Sequence, residues 1–122
     1  MRSQNIIREK SFDFAIRIVR LYQYLKTKKE TVISKQLLRS GTSVGANIRE
    51  AENAESKADF IHKMGIAQKE IDETMYWLEL LNKTKFLSDK EFNSIYKEAE
   101  EIIKLLKSII VTSKQNKSNQ RS

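Results

Sequence analysis

The chain has 122 residues, no cysteine, no proline and three glycines, with 32% charged and 39% hydrophobic residues. This length can bury a single core without staples, the lack of cysteine excludes disulfides and thiolate metal ligands, and the scarcity of turn residues argues against a sheet fold. The formal net charge of +7 is uneven, because residues 1–29 carry eight basic side chains against two acidic ones and the last ten residues add three cations without an acid. The N-terminal segment lacks the continuous apolar core of a signal peptide, and no run approaches the roughly 18 apolar residues of a membrane span. A cytoplasmic protein with no membrane attachment is expected.

The first helix is predicted over Ile7 to Thr27. Phe14, Ile18, Leu21 and Leu25 form one apolar stripe, and Phe12, Ala15, Ile16, Val19 and Tyr22 form a second. Together they span roughly 200°, more than the 100° or so that one core face requires, so part of this surface should meet another chain. On the remaining side Lys10, Arg17, Arg20, Tyr24 and Lys28 fall within roughly 80°.

After a charged turn at residues 26–30, a second helix is predicted from Thr31 to Ala54. Gly41 and Gly45 each cost about 1 kcal/mol relative to alanine in its interior. An uninterrupted helix therefore needs a compensating close approach by a neighbour, and the alternative is a break at residues 40–43. This helix pairs an apolar face, Ile33, Leu37, Val44, Ile48 and Ala51, with a polar stripe, Gln36, Arg39, Ser43, Asn47 and Glu50.

Ser56 followed by Asp59 reads as the cap of a third helix ending near Asn82. Its core stripe is Phe60, Met64, Ala67, Ile71, Met75 and Leu78, and Ile66, Glu70, Glu73 and Trp77 occupy a separate flank. Ser88 with Glu91 forms a capping box for the fourth helix, whose apolar face is Phe92, Ile95, Ala99, Ile102, Ile103, Leu106, Ile109 and Ile110. Four helices with short connections predict an all-α, antiparallel up-down-up-down four-helix bundle over residues 1–113, followed by a mobile basic tail over 114–122. That topology brings Arg2, Arg8 and Lys10 to the same end as Lys114, Lys117 and Arg121.

The run Arg39-Ser-x-x-Ser43-Val44-x-x-Asn47-Ile48-x-Glu50, followed by Ser56-Lys57-x-x-Phe60 and Ile66-Ala67-x-x-Glu70-x-x-Glu73, resembles the bacterial four-helix-bundle family of proteins encoded within intervening sequences of 23S rRNA genes. The similarity spans about residues 10 to 110. Val44, Gly45 and Ala51 stand where the commoner family pattern has isoleucine, proline and glycine, which marks a subgroup. The resemblance implies a homopentamer. It also implies kinship in fold with the accessory protein of diversity-generating retroelements, which associates with a reverse transcriptase and nucleic acid.

The candidate nucleic-acid-binding residues are Lys10, Arg17, Arg20, Tyr24 and Lys28, cations that seek phosphates beside an aromatic ring able to stack on a base. The opposing reading is an ordinary solvated face. The polar stripe Gln36, Arg39, Ser43, Asn47 and Glu50 reads as a hydrogen-bonded interface network with Glu70 and Glu73 as partners for Arg39, or as a surface facing a ligand or RNA. His62 has no second histidine or cysteine with which to build a zinc site, and Glu98, Glu100 and Glu101 point to different sides of a helix. Ser40, Thr42 and Ser43 lack a neighbouring base. Neither an enzyme nor a cofactor is expected. The expected function is an RNA-associated oligomeric binding protein, with a scaffold for a protein partner such as a reverse transcriptase as the alternative.

Overall fold

Four α-helices make up the computed structural model, which describes residues 2–121, with side chains through residue 116. They are α1 (Arg2–Thr27), α2 (Ile33–Glu52), α3 (Lys57–Lys83) and α4 (Asp89–Arg121), with no strand among the described residues. No helix among those residues is long and apolar enough to cross a membrane.

Local chemistry explains where the helices start and stop. The Ser56 side chain accepts from the Asp59 N–H at 3.0 Å, and the Ser88 side chain accepts from the Glu91 N–H at 3.2 Å, so each hydroxyl satisfies a donor the first turn would leave unpaired. α1 and α3 end alike. Lys29 (φ 63°) and Lys85 (φ 69°) take left-handed backbone, while Glu30 N–H donates to Leu25 O and Phe86 N–H to Leu81 O, each at 3.0 Å. These closures reverse the chain with lysine where glycine is usual.

α2 opens on a carboxylate from the preceding turn. Glu30 is buried and accepts from the N–H groups of Ile33 at 2.9 Å and Ser34 at 2.6 Å, with Val32 N–H at 3.2 Å. Burial pushes its pKa up, but these hydrogen bonds outweigh that and hold the carboxyl below its ordinary range. The negative charge at the positive end of the helix replaces a conventional side-chain cap at Val32.

Two boundaries differ from expectation. α1 starts at Arg2, about a turn and a half earlier, since residues 2–6 contain neither glycine nor proline to stop the helix before Ile7. α4 does not stop where its apolar pattern does. Its backbone stays helical to Arg121, since the segment from 114 contains neither glycine nor proline to end it.

α2 runs unbroken through Gly41 and Gly45. A Cβ at Gly41 would lie 2.8 Å from Ile18 Cγ1 and Cγ2, so α1 crosses α2 at a distance that excludes a side chain there. A Cβ at Gly45 would stand 3.5 Å from the Ser11 carbonyl oxygen, an ordinary contact. Close approach therefore explains the first glycine only.

Each helix packs on two others, α1 on α2 and α4, and α3 on α2 and α4. Phe14, Ile18 and Leu25, Leu37 and Ile48, Met64, Ile71 and Leu78, and Ile102 and Leu106 fill the core. Serine and threonine also enter it. Ser40 and Thr74 are fully buried with their hydroxyl oxygens 2.9 Å apart, and Thr74 donates to Glu70 O at 2.7 Å, so α2 and α3 meet through a satisfied polar pair. The second apolar stripe of α1 stays outside this core, with Phe12 52%, Ile16 36% and Val19 37% exposed.

Candidate nucleic-acid interface

The basic stripe of α1 divides into two parts. Lys10 Nζ lies 3.0 Å from Glu101 Oε2, and Arg17 reaches Glu98 Oε1 and Ser94 Oγ, both at 3.2 Å. These two cations border the core face of α1 and therefore meet the acidic edge of α4. Lys10 in turn draws the Glu101 carboxyl below its ordinary range. They are not the open phosphate-seeking pair that α1 alone predicts.

Arg20 and Lys28 make no ion pair among the described residues. Lys28 Nζ lies 5.6 Å from the centroid of the Tyr24 ring, which is 43% exposed. Arg17, Arg20, Leu21, Tyr24, Leu87, Glu91 and Ile95 line a groove of about 350 Å³ between α1 and α4. Its cations come from α1 and its one carboxylate from α4.

The connecting turns add charge that a helix-by-helix reading misses. Lys26, Lys28 and Lys29 close α1, and Lys83, Lys85 and Lys90 surround the α3–α4 turn, all exposed and without an ion pair among the described residues. Leu87 of the second turn and Tyr24 at the end of α1 line one groove, so both sets belong to one region of the surface. Glu30 adds little opposing potential outward because its carboxylate is buried on α2 amides. At the other end of α1, Arg8 lies 3.5 Å from Glu52, and the Lys117 and Arg121 side chains expected near it lie outside the described residues.

The polar stripe of α2 is also split. Arg39 bonds Glu70 at 3.1 Å and Glu73, and Trp77 Nε1 donates to the same Glu73 oxygen at 3.1 Å. Trp77 foremost, against the upward push of burial, and then Arg39, holds the Glu73 carboxyl below its ordinary range; Glu73 in turn raises Arg39. Ser43 donates to Arg39 O at 2.6 Å and Asn47 to Ser43 O at 2.8 Å, so these two side chains bond back onto their own helix. Glu50 instead pairs with Lys63 at 3.1 Å, and Gln36 is exposed. The network links α2 to α3 through Arg39, Glu70, Glu73 and Trp77.

Phe12 carries Arg49 at 5.1 Å from its ring centroid, a contact between α1 and α2 that neither stripe announces. Among the described residues no three His, Cys, Asp or Glu side chains are grouped to hold a metal ion. His62 is exposed.

Among curated proteins none matches the chain. The chain is similar to a crystal structure of a protein of unknown function from the S23 ribosomal protein family of Bacteroides thetaiotaomicron. The two are 56% identical with a TM-score of 0.87, over 88% of this chain and 97% of that one. The 23S rRNA-intervening sequence protein family matches residues 3–108, from α1 into α4, and the chain therefore belongs to that family.

Proposed function

We propose that the chain is a non-enzymatic, oligomeric RNA-associated protein of the cytoplasm that contacts phosphates through Arg20, Lys28 and the lysines of the two adjoining turns. One observation carries this reading: seven cations gather in one region without an ion pair among the described residues. Such a surface attracts a polyanion by neutralising phosphates and releasing counterions. The family's name, which points to rRNA, supports RNA as the polyanion.

The bundle belongs to the same proposal as an antiparallel up-down-up-down arrangement. Arg8 meets Glu52 while Ile18 meets Gly41, and Glu50 meets Lys63 while Arg39 meets Glu73, so numbers rise in one helix as they fall in the next. The exposed row of Phe12, Ile16 and Val19 supports association of copies, and the family resemblance supports five. That row also favours a second reading, a scaffold whose apolar α1 face holds a different protein.

The test is binding of nuclease-treated protein to a structured rRNA fragment over a series of salt concentrations. Affinity should fall steeply with salt, by a slope of about 0.7–0.9 in log–log terms per phosphate neutralised. Arg20→Glu with Lys28→Glu should weaken binding at least tenfold at constant salt and leave thermal stability unchanged. Arg17 is the wrong residue to reverse, since a carboxylate there would face Glu98. Equal binding by the double variant would refute the phosphate contact, and no binding at low salt would favour the protein-partner reading.

A further inference from the structure

The groove between α1 and α4 combines features that a purely electrostatic surface does not need. Its floor is apolar, from Leu21, Leu87 and Ile95, all buried. Tyr24 forms a half-exposed wall, Arg20 supplies a cation without an ion-pair partner among the described residues, and Lys28, outside the lining, stands 5.6 Å from the Tyr24 ring centroid. Its volume of about 350 Å³ lies in the range of pockets that hold organic ligands rather than single ions. Charge complementarity selects an anionic occupant, and the aromatic wall selects one with a flat apolar face.

Resting on the RNA-binding reading, we infer that this groove receives one unstacked nucleotide of a single-stranded RNA segment. The base lies against Tyr24 and the apolar floor, and its flanking phosphates lie on Arg20 and Lys28. Aromatic stacking accepts any base because every base has a π-face, whereas a duplex keeps its bases paired and offers this surface only phosphates. Glu91 orients the occupant, because a carboxylate repels phosphate and accepts hydrogen bonds from the amino groups of a base edge. The backbone therefore runs along the α1 side, with the base edge toward α4. The region then discriminates strandedness as well as charge.

The experiment compares a short fluorescein-labelled single-stranded RNA with its duplex at one salt concentration, by anisotropy, using the full chain. Wild type should bind the single strand about tenfold or more tightly than the duplex, the gain expected of one stacked base. Tyr24→Ala should lower single-strand affinity about tenfold and so abolish that preference, and Tyr24→Phe, which keeps the ring, should retain it. Thermal unfolding of each variant checks that the fold is intact. Equal wild-type affinity for the two RNAs, or a preference that survives Tyr24→Ala, overturns the inference while phosphate binding stands. Failure of both RNAs to bind at low salt removes the phosphate contact and the inference together.

Discussion

Gly41 and Ile18 touch at a distance that leaves no room for a Cβ, which would stand 2.8 Å from two Ile18 carbons. Both γ carbons are attached to the Cβ of a β-branched residue in a helix, whose χ1 is nearly locked, so neither can rotate away. Gly41→Ala should therefore cost about 1–3 kcal/mol of overpacking, against about 1 kcal/mol gained in helix propensity. Denaturant unfolding should show a net loss of up to about 2 kcal/mol. In an Ile18→Ala background the same change should become neutral or stabilising, and an unaltered penalty there would place the strain elsewhere. Gly65→Ala is the control, since a Cβ there meets nothing within 4 Å. It should gain about 0.5–1 kcal/mol.

Glu30 ties stability to acid. Its carboxyl is held below its ordinary range by the amides of Ile33, Ser34 and Val32 despite the opposing push of burial, so the folded state binds its proton less readily than the unfolded state. The contribution is present above the unfolded value of about 4.3 and is lost as pH falls through the folded one. Glu30→Gln should cost about 1 kcal/mol at neutral pH, on the scale of a lost helix cap. It should also flatten the acid limb of a plot of unfolding free energy against pH. An acid limb as steep as that of wild type would show that other carboxylates set it.

Trp77 is the single tryptophan, so its emission reports on one acceptor. The Glu73 carboxyl lies below its ordinary range, Trp77 being the leading cause, so protonation of Glu73 should perturb the fluorescence at a pH below about 4.3. The stabilisation is complete at neutral pH and disappears as pH falls through that midpoint. Glu73→Gln should abolish this step, and Arg39→Ala should move it upward with a stability loss of about 1 kcal/mol or less, because the Arg39 side chain is 51% exposed. A midpoint that ignores both substitutions would mean that the emission follows a different group.

Lys29 and Lys85 hold left-handed backbone that costs a side-chain-bearing residue roughly 1 kcal/mol. Lys29→Gly and Lys85→Gly should each raise the unfolding free energy by about 0.5–1 kcal/mol, the lost strain exceeding the entropy of a more flexible unfolded chain. The sites lie in separate turns, so the double variant should be additive within about 0.5 kcal/mol. Destabilisation by either change would mean that the lysine side chain contributes more than its backbone costs.

How legible the chain was follows from which signals are local. Phe14, Ile18, Leu21 and Leu25 repeat at helical spacing and are all buried, and Ser56 caps α3 as its spacing to Asp59 predicts. Arg39 meets Glu70 and Glu73 as their shared polar pattern suggests. Glu30, by contrast, reads as one more charge in a charged turn, and neither apolar stripe includes Ser40 or Thr74, although both are fully buried. Their roles depend on what stands opposite. The α1 stripe shows the same division, since a helical wheel groups Lys10 and Arg17 with Arg20 and Lys28 but does not reveal the carboxylates of α4.

By itself the sequence determined the all-α class, the number of helices, the main core stripes and the excess of positive charge, because periodicity, caps and composition act within a few residues along the chain. Only the tertiary structure decided which cations are neutralised, which glycine is sterically required, and that Tyr24 of α1 and Leu87 of the α3–α4 turn line one groove. Those outcomes depend on the faces that separate helices present to one another, and side-chain pairing and packing act over a few ångströms in space between residues far apart in sequence.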